Sequence, residues 1–411
     1  MYFGWWLLAA SVGAMALGSG TSFWAFGFYV RPLEREFGWT RAEVSLGFSV
    51  ALLVSGLSGP LIGRFIDTRG PRTAILVGTV LTTLSFFLLA TTNSLWQWYA
   101  YSAANAVARQ MMFFIPFMAL ISRWFDRRRG IAVSILGTGF SLGGFIVVPF
   151  VQLAMESLGW RATLVASGGA VAAVFLPIGL FVVRNSPVEM GLSPDGARDA
   201  DGTASRPRAI EGVTLREALR SPLFWSLSLG FMLFFYGLFG WMVHQVPFYE
   251  SIGLSRRTAA TIVSATAALS IGTRLLVGMI ADRVTRFEYA VVGLAFTLLV
   301  GMFTLSISTS PVGIALFLVL WVIGTAGGPM IESLLLTRAF GVKHFATILG
   351  SVVVVETIGQ ILSPTVAGAI YDATGSYDLA LLMFIGTFAA AAVVFLGASQ
   401  LRRPHEPGGI G

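Results

Sequence analysis

Long apolar runs follow one another along almost the whole chain, separated only by short breaks marked by charged residues, glycine or proline. A helix needs about 20 mostly apolar residues to cross roughly 30 Å of hydrocarbon. Because lipid offers no partner to an unpaired backbone N–H or C=O group, runs of this length must be helical. They predict twelve transmembrane helices, at residues 4–28, 44–63, 73–92, 96–120, 130–154, 160–182, 222–248, 258–281, 287–307, 311–335, 344–368 and 378–400.

The composition agrees with a protein whose solvent is lipid. Of 411 residues, 55% are hydrophobic and only 11% are charged, a balance that a water-soluble domain would not tolerate. The formal charge of +7 comes almost wholly from arginines scattered in short loops, so we expect a lipid bilayer and no nucleic acid as partner. The absence of cysteine excludes disulfides and thiolate metal sites, and we expect no cofactor and no metal.

The chain divides into two halves of six spans each. We expect an N-terminal bundle at 1–183, a cytoplasmic linker at 184–221 that is rich in Pro, Gly, Asp and Arg, and a C-terminal bundle at 222–411. The halves repeat, since the pattern around Gly63 and Asp67 recurs at Gly278 and Asp282. Secondary transporters often use such duplicated bundles to expose a central site to each side in turn.

The basic loop residues indicate the orientation of the chain in the membrane. Most lysines and arginines outside the spans lie on the side that holds the linker and both termini, which predicts that this side is cytoplasmic. The chain opens on an apolar run from Tyr2 without a basic segment before it, so we expect a retained first span and not a cleaved signal peptide. We also expect a monomeric protein in a bacterial inner membrane, with both termini in the cytoplasm.

The loop after span two carries the first family resemblance. Residues 63–72 read GRFIDTRGPR and resemble the G-x-x-x-D-(R/K)-x-G-(R/K)-(R/K) loop of the major facilitator superfamily. Thr68 stands where a basic residue is usual, and we expect Arg69 to serve instead. The resemblance implies two bundles related by a pseudo-two-fold axis, with conformational-switch contacts remade in each cycle. The predicted switch residues are Gly63, Asp67, Arg69, Gly70, Arg72 and, in the second half, Asp282 and Arg283.

Further segments resemble the monocarboxylate transporter family and its oxalate/formate-antiporter-like bacterial relatives. These are RWFDRRRGIA at 123–132, HQVPFY at 244–249 and SIGTRLLVG at 270–278. The last lines up with a family segment whose arginine binds the substrate carboxylate, which implies that role for Arg274. The family's proton route cannot be transferred unchanged, because Ser270 replaces an aspartate of several animal members and no lysine lies near Trp24 in span one.

Two arginines fall inside predicted spans, where a charge costs about 2.5 to 3.5 kcal/mol or more. Arg274 corresponds by the repeat to Gly59, and Arg109 to Gly324, so the fold itself does not demand a charge at either place. A guanidinium grips a carboxylate through two parallel hydrogen bonds. Both are therefore candidate substrate ligands. The alternatives are a structural ion pair for Arg274 and neutralisation of Glu356 by Arg109.

Two other intramembrane residues complete the candidate site, and a third has a structural role. Glu356, in the middle of span eleven, is the candidate proton-coupling group, because its protonation can depend on whether a nearby arginine is occupied by substrate. His244 is a candidate substrate ligand or proton relay. Purely structural roles are the alternative for both. We expect Glu332, near the cytoplasmic end of span ten, to be structural and within reach of loop arginines.

These residues favour a secondary transporter of small organic anions, with proton-coupled monocarboxylate symport as the preferred hypothesis. An exchanger of dicarboxylates for monocarboxylates is the alternative, and efflux of hydrophobic compounds a weaker one. A membrane enzyme would need a nucleophile, paired acids or a metal cluster near one membrane face, and the sequence shows none of these.

Overall fold

The computed structural model describes residues 2–196, 211–281, 287–401 and 404. These residues are almost wholly helical, and the β-bridge found among them, between Gly212 and Gly341, is isolated. The chain divides into two compact units. The first unit contains Met1–Gly212 and Gly341–Ser351, and the second contains Val213–Phe340 and Val352–Gly411.

The helices of the first unit follow the chain in order. They are α1 (Phe3–Ser19), α2 (Phe26–Phe37), α3 (Arg41–Arg69), α4 (Pro71–Ala90), α5 (Leu95–Met112), α6 (Phe114–Trp124), α7 (Arg129–Leu142) and α8 (Val148–Pro177). Within this unit α5 packs against α3 and α4, α4 packs against α8, and α1 packs against α7. Wider π-helical turns at Gly20–Trp24, Gly143–Val147 and Ile178–Val182 follow α1, α7 and α8.

The second unit continues the same helical pattern. Its helices are α9 (Leu215–Arg220), α10 (Pro222–Ser251), α11 (Arg256–Ala281), α12 (Phe287–Ile307), α13 (Pro311–Thr325), α14 (Gly328–Phe340), α15 (Phe345–Thr374) and α16 (Asp378–Ala398). The first turns of α15 belong to the first unit. In the second unit α16 packs against α10 and α12, and α12 also packs against α13.

The helices confirm twelve membrane spans. By length and hydropathy the described residues contain eleven stretches able to cross a membrane, one of which runs for 54 residues from Arg129 to Val182. That stretch is broken at Gly159, whose φ of 78° and ψ of 170° are not helical. Glycine adopts a positive φ without a steric penalty, so the chain turns here between spans five and six. Counting the two parts separately gives twelve.

Local sequence explains where several helices begin. The Thr40 side chain accepts a hydrogen bond from the Glu43 backbone while the Glu43 side chain accepts one from the Thr40 backbone, which fixes the start of α3. Ser94 and Ser310 cap α5 and α13 in the same general way. Pro71 begins α4, where its missing N–H group is not needed.

Spans four and ten are each broken near a candidate residue. In span four, α5 gives way to α6 at Phe113, whose φ of −107° and ψ of −101° interrupt the helix close to Arg109. In span ten, α13 ends at Thr325 and α14 begins at Gly328, one turn before Glu332. Interrupted helices at membrane depth are tolerated where protein or a water-lined cavity satisfies the freed backbone groups.

Candidate functional site

A small cavity lies inside the first unit and is lined by Arg109. Ser102, Asn105 and Arg109 follow one another at helical spacing, so they share one face of α5. The cavity has a volume of about 60 Å³, enough for a few water molecules or a small polar group. Its other lining residues are Thr21, Ser22, Phe26, Tyr29, Gly47, Phe48, Ala51, Phe86, Leu89, Trp98 and Leu164.

Polar groups of this cavity are only partly satisfied by the protein. Among the described residues Arg109 makes neither a hydrogen bond nor an ion pair. The Ser22 hydroxyl is buried and likewise has no hydrogen-bond partner there. Asn105 donates to the Ser85 hydroxyl at 2.9 Å, which orients its amide. The cavity therefore presents a guanidinium and a hydroxyl, between aromatic walls, to any small group with acceptor oxygens.

Two acids meet inside the second unit. Glu332 on α14 and Glu356 on α15 are 2% and 3% exposed, and their carboxyl groups lie within hydrogen-bonding reach of each other. This corrects the expectation that Glu332 lies within reach of loop arginines. The criterion that singled out Arg109 would have found it, because the repeat counterpart of Glu332 is the apolar Phe117.

His244 on α10 is held at both ring nitrogens. Nε2 lies 2.9 Å from the Pro364 carbonyl, which can only accept, so Nε2 carries the proton and Nδ1 accepts from the Tyr377 hydroxyl at 3.1 Å. Burial, and then Tyr371 and Asp372, raise the pKa of Tyr377, which keeps the proton that it donates. The predicted contact of His244 with a substrate would require one of these bonds to break.

Arg274 is half-buried on α11. Ser270, one turn earlier, donates its hydroxyl to the Thr266 carbonyl at 2.7 Å. The α11 segment therefore carries the predicted arginine without an aspartate beside it on the preceding turn. Arg274, His244 and Glu356 belong to the second unit and Arg109 to the first, and their joint action on one substrate stays a prediction.

Asp67, in the predicted switch loop, caps the first turn of α15. Its Oδ2 accepts hydrogen bonds from the Thr347 backbone at 2.8 Å and the Thr347 hydroxyl at 2.6 Å, while Oδ1 accepts one from the Ala346 backbone at 3.3 Å. A carboxylate is stabilised where backbone N–H groups at a helix start lack partners. Gly63 lies so close to Ala346 that a Cβ atom would overlap its backbone.

Arg123 is the basic residue beside Asp67. Its Nη2 lies 3.9 Å from Asp67 Oδ1, and the two side chains are 11% and 3% exposed. Arg69, which the sequence favoured as the basic member of the loop, is exposed instead. The contact joins two segments that carried separate family resemblances, the loop at 63–72 and the segment at 123–132. The switch role of these residues stays a prediction, and Asp282 and Arg283 lie outside the described residues.

Arg72 ties the start of α4 to the end of span six. Its Nε donates to the Gly179 carbonyl at 3.0 Å and its Nη2 to the Leu180 carbonyl at 2.7 Å. Its backbone N–H donates to Asn185 Oδ1 at 3.0 Å. Gly70 precedes it with a φ of 85°, and a Cβ atom there would overlap the Asn185 side chain. Basic side chains at a helix end satisfy the last carbonyls in this way.

Comparison with known proteins shows which family has this architecture. The family model of the Major Facilitator Superfamily matches residues 12–364. Human monocarboxylate transporter 11 is 26% identical over 424 aligned residues, which cover 96% of this chain and 83% of the relative. An MFS-type transporter of Gibberella moniliformis is 24% identical over 359 residues, covering 86% of this chain and 81% of the relative.

Solved structures agree on the fold. The proton:xylose symporter XylE superposes with a TM-score of 0.74 at 16% identity, covering 96% of this chain and 95% of the symporter. The human organic anion transporter MFSD10 gives a TM-score of 0.66 at 15% identity, covering 96% and 97%. Since the family model spans most of the chain and the fold agrees, the protein is a multi-pass membrane transporter that belongs to the Major Facilitator Superfamily.

Proposed function

We propose that this transporter carries small organic anions, most simply a monocarboxylate taken up together with a proton. The observation that carries the proposal is Arg109, a guanidinium inside a membrane span that lines a cavity and has no ion pair among the described residues. A buried charge without a counterion is costly, and a substrate carboxylate would supply the missing negative charge. The relatives named monocarboxylate transporters support the same class of substrate.

The roles of the remaining residues follow from this chemistry. Arg274 anchors the carboxylate through its planar fork, Arg109 and His244 complete the site, and Glu356 exchanges the proton. The bundles 1–183 and 222–411 move as the two halves of an alternating-access cycle, with the loops at Asp67 and at Asp282 and Arg283 as the contacts that are remade. The protein works as a monomer in a bacterial inner membrane, with both termini in the cytoplasm.

Anion exchange is the second candidate, and one observation favours it. Each unit carries an arginine inside a span, Arg109 in the first and Arg274 in the second. Two guanidinium groups suit a dicarboxylate, which would return in exchange for a second anion. Exchange requires internal anion and is indifferent to a pH gradient, whereas symport responds to the gradient in empty vesicles.

Uptake by the purified protein in proteoliposomes tests the proposal. A panel of labelled mono- and dicarboxylates is offered with and without an acidic outer medium. We expect saturable uptake of a carboxylate in the wild type, stimulated by outer acid. Loss of an ionic hydrogen bond of about 1.5 to 3 kcal/mol predicts that Arg109→Gln lowers uptake by roughly ten- to one-hundred-fold. Arg128→Gln, an exposed arginine, is the matched control.

A competition assay run across pH then separates two roles of Arg109. If Arg109 touches the solute, Arg109→Gln favours monocarboxylates over dicarboxylates, because the guanidinium that would bind the second carboxylate is missing. If Arg109 neutralises Glu356 instead, the pH profile of transport changes while the selectivity does not. Unchanged uptake, selectivity and pH profile in Arg109→Gln would contradict the proposal that this cavity binds the anion.

A further inference from the structure

The second unit contains a pair of carboxyl groups that the proposed mechanism uses only in part. Glu332 and Glu356 come from different helices, α14 and α15, and are almost completely buried. Their carboxyl groups lie within hydrogen-bonding reach of each other. The Oε1 atom of each is buried without a hydrogen-bond partner among the described residues.

A hydrogen bond between two carboxyl groups requires a proton. Two carboxylates are acceptors only, so they cannot bond to each other unless one of them carries hydrogen. Two negative charges held side by side away from water would also repel strongly, as in other carboxyl pairs that share a site. We therefore expect the pair to hold at least one proton.

Among the described residues neither acid of the pair makes an ion pair with a positive group. On α10, Tyr236 donates to the Met383 sulfur at 3.4 Å and His244 is held by Pro364 and Tyr377. Other titratable or charged groups described on the helices of this unit make no hydrogen bond or ion pair with either carboxyl. They include Glu250, Arg257, Arg274, Tyr289, Arg338, Tyr371, Asp372 and Asp378.

We infer that Glu332 and Glu356 together form one proton-binding site, with Glu332 as a member that works jointly with Glu356. The inference rests on the proposed function, in which a proton accompanies the anion. The pair cycles between one and two protons, hence between a charge of −1 and a charge of zero. Loading forms an O–H bond at one carboxyl with a proton from water on one side of the membrane, and release breaks an O–H bond and returns the proton to water on the other side.

If the two acids form one site, substitution of either acid should impair proton-driven transport to the same extent. In Glu332→Gln, in Glu356→Gln and in the double variant, the substrate accumulation driven by an acidic outer medium should fall at least about tenfold. The double variant should be no worse than either single variant, because each change alone removes the sharing. Exchange of labelled for unlabelled substrate across the membrane needs no net proton movement, and all three variants should keep it. Glu156→Gln, an exposed glutamate, is the control.

Infrared difference spectra recorded on a pH change give a second readout that does not depend on transport. The wild type should show a deuterium-sensitive band of a protonated carboxyl group, and Glu332→Gln should shift or abolish it. Wild-type accumulation in Glu332→Gln would overturn the inference, and so would a wild-type spectrum without that band, which decides the matter even if the variant fails to fold. Failure of the proposed function looks different, since wild-type protein would then exchange no carboxylate at all while the band remained.

Discussion

The two units hold their buried polar groups in different ways. In the first, Arg109 lines a cavity and the described residues give it no ion pair. In the second, the buried carboxyl groups of Glu332 and Glu356 lie within hydrogen-bonding reach of each other. The first arrangement calls for a negative group from outside the protein, whereas the second needs only a proton. An anion and a proton are the two species that the proposed symport brings together.

The repeat explains why these charges are not duplicated. Arg109 corresponds to Gly324, where a Cβ atom would lie 2.5 Å from Leu298. Arg274 corresponds to Gly59, where a Cβ atom would lie 2.5 Å from the Gly350 carbonyl oxygen. At both counterpart positions close packing leaves no room for any side chain. Duplication thus copied the helical scaffold, while local packing decides which half can accept a buried charge.

The largest effect should follow from filling one of these close contacts. Gly324→Leu forces a side chain against Leu298, and overpacking of this kind costs about 1 to 3 kcal/mol or more. Gly386→Leu, where no atom lies within 4 Å of the added Cβ, should leave stability near the wild-type value. Thermal unfolding of the purified protein in detergent compares the two. Equal stability would show that packing does not exclude a side chain at the counterpart of Arg109.

The next effect concerns the arginine of the second unit. Arg274→Lys keeps the charge but replaces the planar fork with a point ammonium, which cannot form two parallel hydrogen bonds to a carboxylate. We expect uptake to fall at least about tenfold, which corresponds to about 1.4 kcal/mol. Initial rates of carboxylate uptake measure it. Near-normal uptake would contradict two parallel hydrogen bonds from Arg274 to the carboxylate and would leave Arg109 as the main anion ligand.

The smallest effects belong to the switch loop. Thr347→Val deletes the 2.6 Å hydrogen bond to Asp67 and should lower the free energy of unfolding by about 1 kcal/mol, because Asp67 keeps its two backbone donors. Thr365→Val removes an exposed hydroxyl from the same helix and serves as its control. Arg69→Gln should stay within about 0.5 kcal/mol of the wild type, because that side chain is exposed. A larger loss in Arg69→Gln than in Thr347→Val would restore Arg69 as the main partner of the loop.

Hydrophobic patterning was enough to predict the twelve spans, because each span is specified by its own residues. Contacts between spans were harder to predict. Pairing of Glu332 with Glu356 depends on which faces of α14 and α15 meet, and the contact of Asp67 with Arg123 joins segments far apart in the chain. The inclusion of Gly341–Ser351 in the first unit was not predicted either, since it arises from glycine contacts and from the cap at Asp67.

The repeat held more information than the hydrophobic pattern alone. Comparing each buried polar residue with its counterpart singles out Arg109, Arg274 and Glu356, and also Glu332, whose counterpart is Phe117. What the repeat could not give is the lining of the cavity. Ser22 reaches it from a π-helical turn, a local widening of the helix that has no clear signal in a single sequence.

Proton movement that accompanies anion uptake is the measurement that separates symport from every alternative. Wild-type proteoliposomes without internal anion are placed in a weakly buffered medium, a carboxylate identified by uptake is added, and the external pH is recorded. If a proton enters with each anion, the medium becomes more alkaline during uptake, and Arg109→Gln abolishes this change while Arg128→Gln does not. Saturable carboxylate uptake by the wild type without any change in external pH would contradict the claim that a proton accompanies the anion.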